Sequence, residues 1–297
     1  MLQTYKYYTK YIDFVVYYLK LVFILFVLCF LFLLICRNHF KESQDMAAEK
    51  KGINTNILSI DIGGTSIKTV LLDEDGNMLS EYLKSKTPEG ATPKDIVTGI
   101  QELIKPIPQT YNRISIGFPG YVTNGIVKTA PNLAKNKWAD VDLAQRVANV
   151  LNHPVRLVND ADQQGLGVVK GKGFEIVFTV GTGFGTALLF DGELLPHLEL
   201  AHLPINKTED YDDYIGNKAF EDIGTERWNK RLKKIIEIYK TVFNYDALYI
   251  GGGNSKHIEF KLENNITVVT NRDGIKGGAK LWKLADKYNI FTVNPKV

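Results

Sequence analysis

The sequence predicts an α/β protein of two lobes facing one another across a cleft, and three observations carry that expectation. Residues 57–79 read ILSIDIGGTSIKTVLLDEDGNML, an apolar run broken by a Gly/Thr turn, resumed, and closed by an acidic-glycine turn; residues 175–195, EIVFTVGTGFGTALLFDGELL, repeat the plan. Strand-like and helix-like stretches alternate between and after these passages, the pattern of layered α/β folds. A chain of 297 residues, 45% of them hydrophobic, can bury two medium cores.

In chain order, residues 14–36 (FVVYYLKLVFILFVLCFLFLLIC) come first, 23 positions with Lys20 as the sole charge. That length suffices to cross a hydrocarbon layer of about 30 Å. No small-residue cleavage pattern follows, so a retained membrane tether is expected over a removed signal peptide. Arg37, Lys41, Lys50 and Lys51 downstream, against Lys6 and Lys10 upstream, place the main domain on the cytoplasmic side. The other reading stays open: Met46 begins MAAEKKG, a polar start for a chain without that stretch. Residues 1–45 are therefore set apart from an N-terminal lobe over 53–165 and a C-terminal lobe over 166–297.

Within the lobes, each glycine-broken passage reads as two strands, with Asp75-Gly76 and Asp191-Gly192 supplying the following reversals. A helix is expected over 93–105, a strand over RISIGFPG (113–120), a helix over 140–151 and a strand over VRLVNDAD (155–162). Then come a helix over 217–242, a strand over ALYIGGGNSK (247–256) and a last helix, GGAKLWKLADKY, packing back on the first lobe.

Charge narrows the function classes. Without residues 1–45 the chain holds 31 Lys/Arg against 30 Asp/Glu, a balance that argues against a general nucleic-acid surface. Lys230, Arg231, Lys233 and Lys234 gather on one helix and read either as a solvated face or as a polyanion contact. Both cysteines, Cys29 and Cys36, lie in the apolar segment, leaving no thiol in the lobes for a disulfide, a zinc cluster or a nucleophile.

The glycine turns carry the chemistry. Glycine lets a backbone curl tightly toward a ligand, and successive N–H groups in such a turn form an anion-binding concavity. Either turn alone reads as a hairpin of small residues; two of them facing, with GGG at 251–253, can hold a chain of phosphates. Asp160 in LVNDAD is, by pattern, as good a helix cap as a catalytic base. His197 and His202 stand five apart and share no helical face, so they form no metalloprotease motif. Glu199, between leucines, is also open to reading as a solvent-facing strand residue.

DIGGTSIK (61–68), GFPG (117–120), PNL (131–133), NDAD (159–162), GTGFGTAL (181–188), ELAH (199–202) and YIGGGNSK (249–256) together resemble, in order, the ROK sugar kinases of the actin-like ATPase (ribonuclease H-like) superfamily, within it the polyphosphate glucokinases. The resemblance covers about residues 57–285. It implies a two-lobed actin-like fold and a glucokinase-type transfer from ATP or polyphosphate to the 6-hydroxyl of glucose. Alternatives are a kinase for another hexose or N-acetyl aminosugar, and a non-catalytic sugar-binding regulator.

The same resemblance implies roles. Asp160 would be the general base; Asn132, Asn159, Glu199 and His202 would hydrogen-bond the sugar. Asp61 would hold Mg2+ through water. Gly63, Gly64, Thr65, Lys68, Gly181, Thr182 and Gly183 would line the phosphate path, with Gly252 and Gly253 beneath an adenosine. A homodimer is implied, and no zinc, because no cysteine follows His202. Ala201 stands where the family carries glycine, and would be strained if that position needs positive φ.

Overall fold

In the computed structural model, residues 55–287 and 290–296 are described. The stretch 14–36 lies outside them; among the described residues no helix is long and apolar enough to cross a membrane. Thr55–Val297 form one compact unit.

The chain opens with β1 (Ile57–Ile62), β2 (Ser66–Leu72) and β3 (Leu83–Lys86), then α1 (Pro93–Leu103), β4 (Arg113–Phe118) and the short strands β5 (Val122–Thr123), β6 (Ile126–Val127) and β7 (Val141–Asp142). Next come α2 (Leu143–Leu151), β8 (Val155–Asn159), α3 (Asp160–Val168), β9 (Phe174–Val180), β10 (Phe184–Phe190) and β11 (Glu193–Leu194). The remainder holds α4 (Tyr211–Ile215), α5 (Asn217–Phe243), β12 (Ala247–Gly251), β13 (Ile266–Val268), α6 (Asn271–Gly274), α7 (Gly277–Leu281) and β14 (Thr292–Val293).

Besides a small antiparallel sheet, β5-β6-β7, two mixed sheets result, ordered β14-β8-β4-β1-β2-β3 and β11-β10-β9-β12-β13. Each has the same heart: a strand paired antiparallel with its hairpin mate on one side and parallel with a crossover strand on the other, β2-β1-β4 in one and β10-β9-β12 in the other. All six residues of β1 are buried, because layers cover both faces of the sheet. That is why the sequence there runs apolar without alternating. Each fully buried Ile or Leu contributes roughly 1.5–3 kcal/mol. The strand's one interior hydroxyl, Ser59, is satisfied by donating to the Ile275 carbonyl at 2.7 Å.

The helix starts have local causes. Thr92 and Asp95 form a reciprocal capping box ahead of α1, with Pro93 in its first turn. At α3 the cap is Asn159, whose Oδ1 accepts from the Ala161 N–H at 2.8 Å. The strand expected to run to 162 therefore ends at Asn159, and Asp160 is the first helical residue. The Asp191-Gly192 reversal has positive φ at both positions (49° and 81°), the mirror-image turn that two-residue hairpins favour. The long helix near 217–242 is present as α5, kinked at Gly224, where φ is 73°.

The last helix is shorter than expected. The sequence predicts it over 277–288, yet α7 ends at Leu281. Arg156 accounts for the break: its guanidinium donates to the carbonyls of Leu281 and Leu284 at 2.6 and 2.9 Å and pairs with Asp286 at 2.5 Å. Carbonyls that would have continued the helix are taken by a side chain from β8. α7 packs on the first sheet, where Ser115 Oγ donates to the Gly278 carbonyl at 2.6 Å. In the basic cluster on α5, Lys230, Lys233 and Lys234 are exposed and Lys230 pairs with Glu226 at 2.7 Å, while Arg231 is half-buried over the Tyr214 ring.

Candidate active site

Both glycine-broken hairpins deliver their turns to one cavity of about 460 Å3. The first turn is closed by Gly63 N–H donating to the Ser66 carbonyl at 2.9 Å, and the second by Gly181 N–H donating to that of Gly183 at 3.0 Å. The turns meet directly, with Thr65 Oγ1 and Thr182 Oγ1 3.0 Å apart. Gly63, Gly64, Thr65 and Lys68 line the cavity from the first sheet, and Gly181, Thr182 and Gly183 from the second. Gly252 and Gly253 enter from the end of β12.

The polar set expected to meet a sugar lines the same space: Asn132, Asn159, Asp160, Glu199 and His202. Asn159 is already engaged at both ends, its Nδ2 donating to the Gly120 carbonyl at 3.1 Å while Oδ1 caps α3. His202 is half exposed, with Nδ1 3.2 Å from Asp210 Oδ2. Ala201 sits in a 3-10 turn, Leu200–His202, and is not among the residues with positive φ. The strain considered for it is absent, so that position does not require glycine here.

Asp61 alone among the expected residues is not on the cavity wall. It is buried, and Lys68 Nζ donates to its Oδ2 at 2.6 Å. The hairpin register dictates this, since Asp61 lies opposite Lys68 and directly opposed side chains share a sheet face. Burial pulls the Lys68 ammonium down, but Asp61 overrides it and holds it above the ordinary value.

Electrostatics single out Asp160. Burial, then the nearby Asp61 carboxylate, push it up to about 7, against the pull of Lys68, the Ala161 N–H and His197. A carboxylate poised near neutrality in a cleft is suited to exchanging a proton. Mg2+ keeps most of its waters and takes one or two carboxylates plus phosphate oxygens. Among the described residues there is no cluster of three metal-binding side chains. Asp61 is the carboxylate placed nearest that role, but it stands off the cavity wall and is paired with Lys68, so it would reach an ion only through water.

Several wall residues had no signal in the sequence. Lys84 lies opposite Lys68 on β3, a strand whose LKSK pattern does not announce itself. Asp212 accepts from the Phe184 N–H at 2.6 Å and braces the second turn, and burial pushes its carboxyl up. Its YDDY context looks like an ordinary acidic loop. His197, which forms no metalloprotease motif with His202, is not on that wall; it is buried behind it, against Asp162 and Glu199.

Gly252 has φ of 90°, and a Cβ there would run into the Val180 backbone. Gly252→Ala is expected to cost at least about 2 kcal/mol, lowering Tm by roughly 4–8 °C in a domain of this size. Calorimetry checks it; an unchanged Tm would mean the β12 turn is free to move.

Paired phosphate-type turns on duplicated sheets, closing over a carboxylate of near-neutral pKa, define a phosphotransferase of the actin-like ATPase fold. The chain belongs to the ROK family, whose profile matches residues 57–208. It is 30% identical over 236 residues to the polyphosphate glucokinase of Mycobacterium tuberculosis, covering 74% of this chain and 88% of that one. Among solved structures, it is similar to the inorganic polyphosphate/ATP-glucomannokinase of Arthrobacter sp. strain KM, with TM-score 0.70, 29% identity, and coverage of 76% of this chain and 98% of that chain. It shares the fold of a ROK family glucokinase from Streptomyces griseus solved with glucose and AMPPNP, at TM-score 0.62 and 20% identity over 76% and 98% of the two chains.

Proposed function

We propose that this ROK-family sugar kinase transfers a phosphoryl group from ATP or inorganic polyphosphate to the 6-hydroxyl of glucose. One observation carries the reading: two glycine turns from separate sheets meet at 3.0 Å in the cavity that Asp160 lines. In the reaction the sugar hydroxyl oxygen attacks the terminal phosphorus, the bond from phosphorus to the bridging oxygen of the donor breaks, and the hydroxyl proton passes to Asp160. Asn132, Asn159, Glu199 and His202 orient the sugar so that one hydroxyl faces the donor. Lys68 and the turn amides neutralise the phosphate oxygens. Asp61 would be the carboxylate that meets a Mg2+ ion accompanying the donor, and such an ion would supply further charge neutralisation on the phosphates. Positioning of this kind accounts for roughly 7–11 kcal/mol of a transfer barrier.

Both donors suit the wall. Gly252 and Gly253 leave flat backbone for an adenosine, while Lys84, exposed beyond Lys68 on the same hairpin, suits a phosphate chain that continues past the site. The test is a matrix of ATP and polyphosphate against glucose, mannose, fructose and an N-acetylated aminosugar. Glucose 6-phosphate is expected with at least one donor, at a kcat/KM above that for the other acceptors. A preference for fructose or the aminosugar would replace the acceptor, and no phosphorylation of any sugar would overturn the reading.

A further inference from the structure

We propose that His197 is a positioning residue of the sugar site, holding Glu199 in place by bridging it to Asp162 on α3, the helix that begins at Asp160. The inference rests on the sugar-binding role of Glu199 proposed above. His197 lies between β11 and the 3-10 turn Leu200–His202, with its side chain 5% exposed. Its Nδ1 is 3.0 Å from Asp162 Oδ2, and its Nε2 is 3.4 Å from Glu199 Oε1. Neither contact has hydrogen-bond geometry; they are close approaches that become ion pairs when the ring is protonated. Tyr121 covers the ring at 16° to parallel, with centroids 6.3 Å apart.

With a carboxylate beside each nitrogen, an unprotonated nitrogen would turn its lone pair toward acceptor oxygens, so the ring is favoured with both nitrogens protonated. Burial works against that charge, but Asp162 and Glu199 outweigh it and push the imidazole up to about 10. The titratable groups around it are Asp162 and Asp160 of α3, Glu199 and the covering Tyr121. Without the ring, the buried Oε1 of Glu199 loses the one cation beside it, while Asp162 stays on the far side of the vacated space. The Glu199 carboxylate is then free to turn toward solvent, which removes an oriented acceptor from the sugar while leaving the phosphate turns untouched.

The test is a double-mutant cycle of His197→Gln and Glu199→Gln, reading the KM of glucose and of the donor separately. His197→Gln is expected to raise the glucose KM by about 10- to 100-fold, the effect of losing one sugar hydrogen bond to a charged acceptor, with the donor KM within twofold of wild type. The double variant should be no worse than Glu199→Gln alone. Losses that multiply, or a normal glucose KM in His197→Gln beside an impaired Glu199→Gln, would overturn the positioning role and leave the sugar site standing. A normal glucose KM in Glu199→Gln would instead remove the sugar role of Glu199 and this inference with it. Should His197→Gln not fold, 15N NMR of the unmodified chain at pH 8 decides: both His197 ring nitrogens should be protonated, and a neutral ring would overturn the proposal.

Discussion

Asp160→Asn is expected to lower turnover by at least about 10²- to 10⁴-fold, the range general-base help supplies, while glucose still binds. The substitution keeps the shape and removes only the ability to take a proton. In the unsubstituted enzyme, kcat/KM should fall as pH drops through about 7, because protonated Asp160 cannot accept the sugar's proton. The same shift makes a statement about stability. Asp160 moves from its ordinary 3.8 to about 7 because the fold disfavours its charge, so the fold is destabilised once the group ionises. That cost is absent below about pH 4, grows as pH rises, and is complete above about 7; at roughly 1.4 kcal/mol per tenfold it reaches up to about 4 kcal/mol. The inactive Asp160→Asn variant should therefore unfold at higher denaturant than wild type at pH 8, and the advantage should shrink toward pH 4. Full activity in the variant would remove Asp160 as base. Equal stabilities at pH 8 would show that its charge is not disfavoured by the fold.

How far the sequence reaches is clearest at the two hairpins. Their glycine breaks and flanking strands are local signals that the structure follows; of the two Asp-Gly reversals, Asp191-Gly192 is a tight two-residue turn, while the chain around Asp75-Gly76 makes a wider turn from Leu72 to Met78 before the next strand. The duplicated β2-β1-β4 and β10-β9-β12 hearts follow from the same local pattern once crossovers are added. What could not be read depends on pairing across distance. Nothing near residue 281 announces that Arg156, on a strand far back in the chain, will capture the carbonyls that would have extended α7. The position of Asp160 was legible but its environment was not, because its pKa is set by burial and by Asp61, brought in by a separate strand. His197 carries no motif at all; its partners stand on α3 and beside a 3-10 turn, and only the fold makes them neighbours.

Lys68→Met should be the most damaging change away from the base, for two separable reasons. Lys68 and Asp61 are both largely buried, with side chains 12% and 5% exposed and 2.6 Å between the charges. Removing one member of such a pair leaves an uncompensated buried charge, typically a loss of about 3–5 kcal/mol, visible as a lower midpoint in chemical denaturation. The second effect is on Asp160. Lys68 pulls its pKa down and Asp61 pushes it up, so the two partners act on the base with opposite sign. Lys68→Met should therefore move the acid limb of kcat/KM to higher pH, above about 7, whereas Asp61→Asn should move it to lower pH. Lys68→Arg keeps the charge and should leave the limb near its wild-type place. Opposite displacements in the first two variants are what electrostatic coupling requires; a loose or misfolded site would broaden or lower both profiles without moving their limbs apart. If both limbs move the same way, or neither moves, then the Asp61–Lys68 pair does not set the charge state of Asp160, and the near-neutral base would have to arise from burial alone.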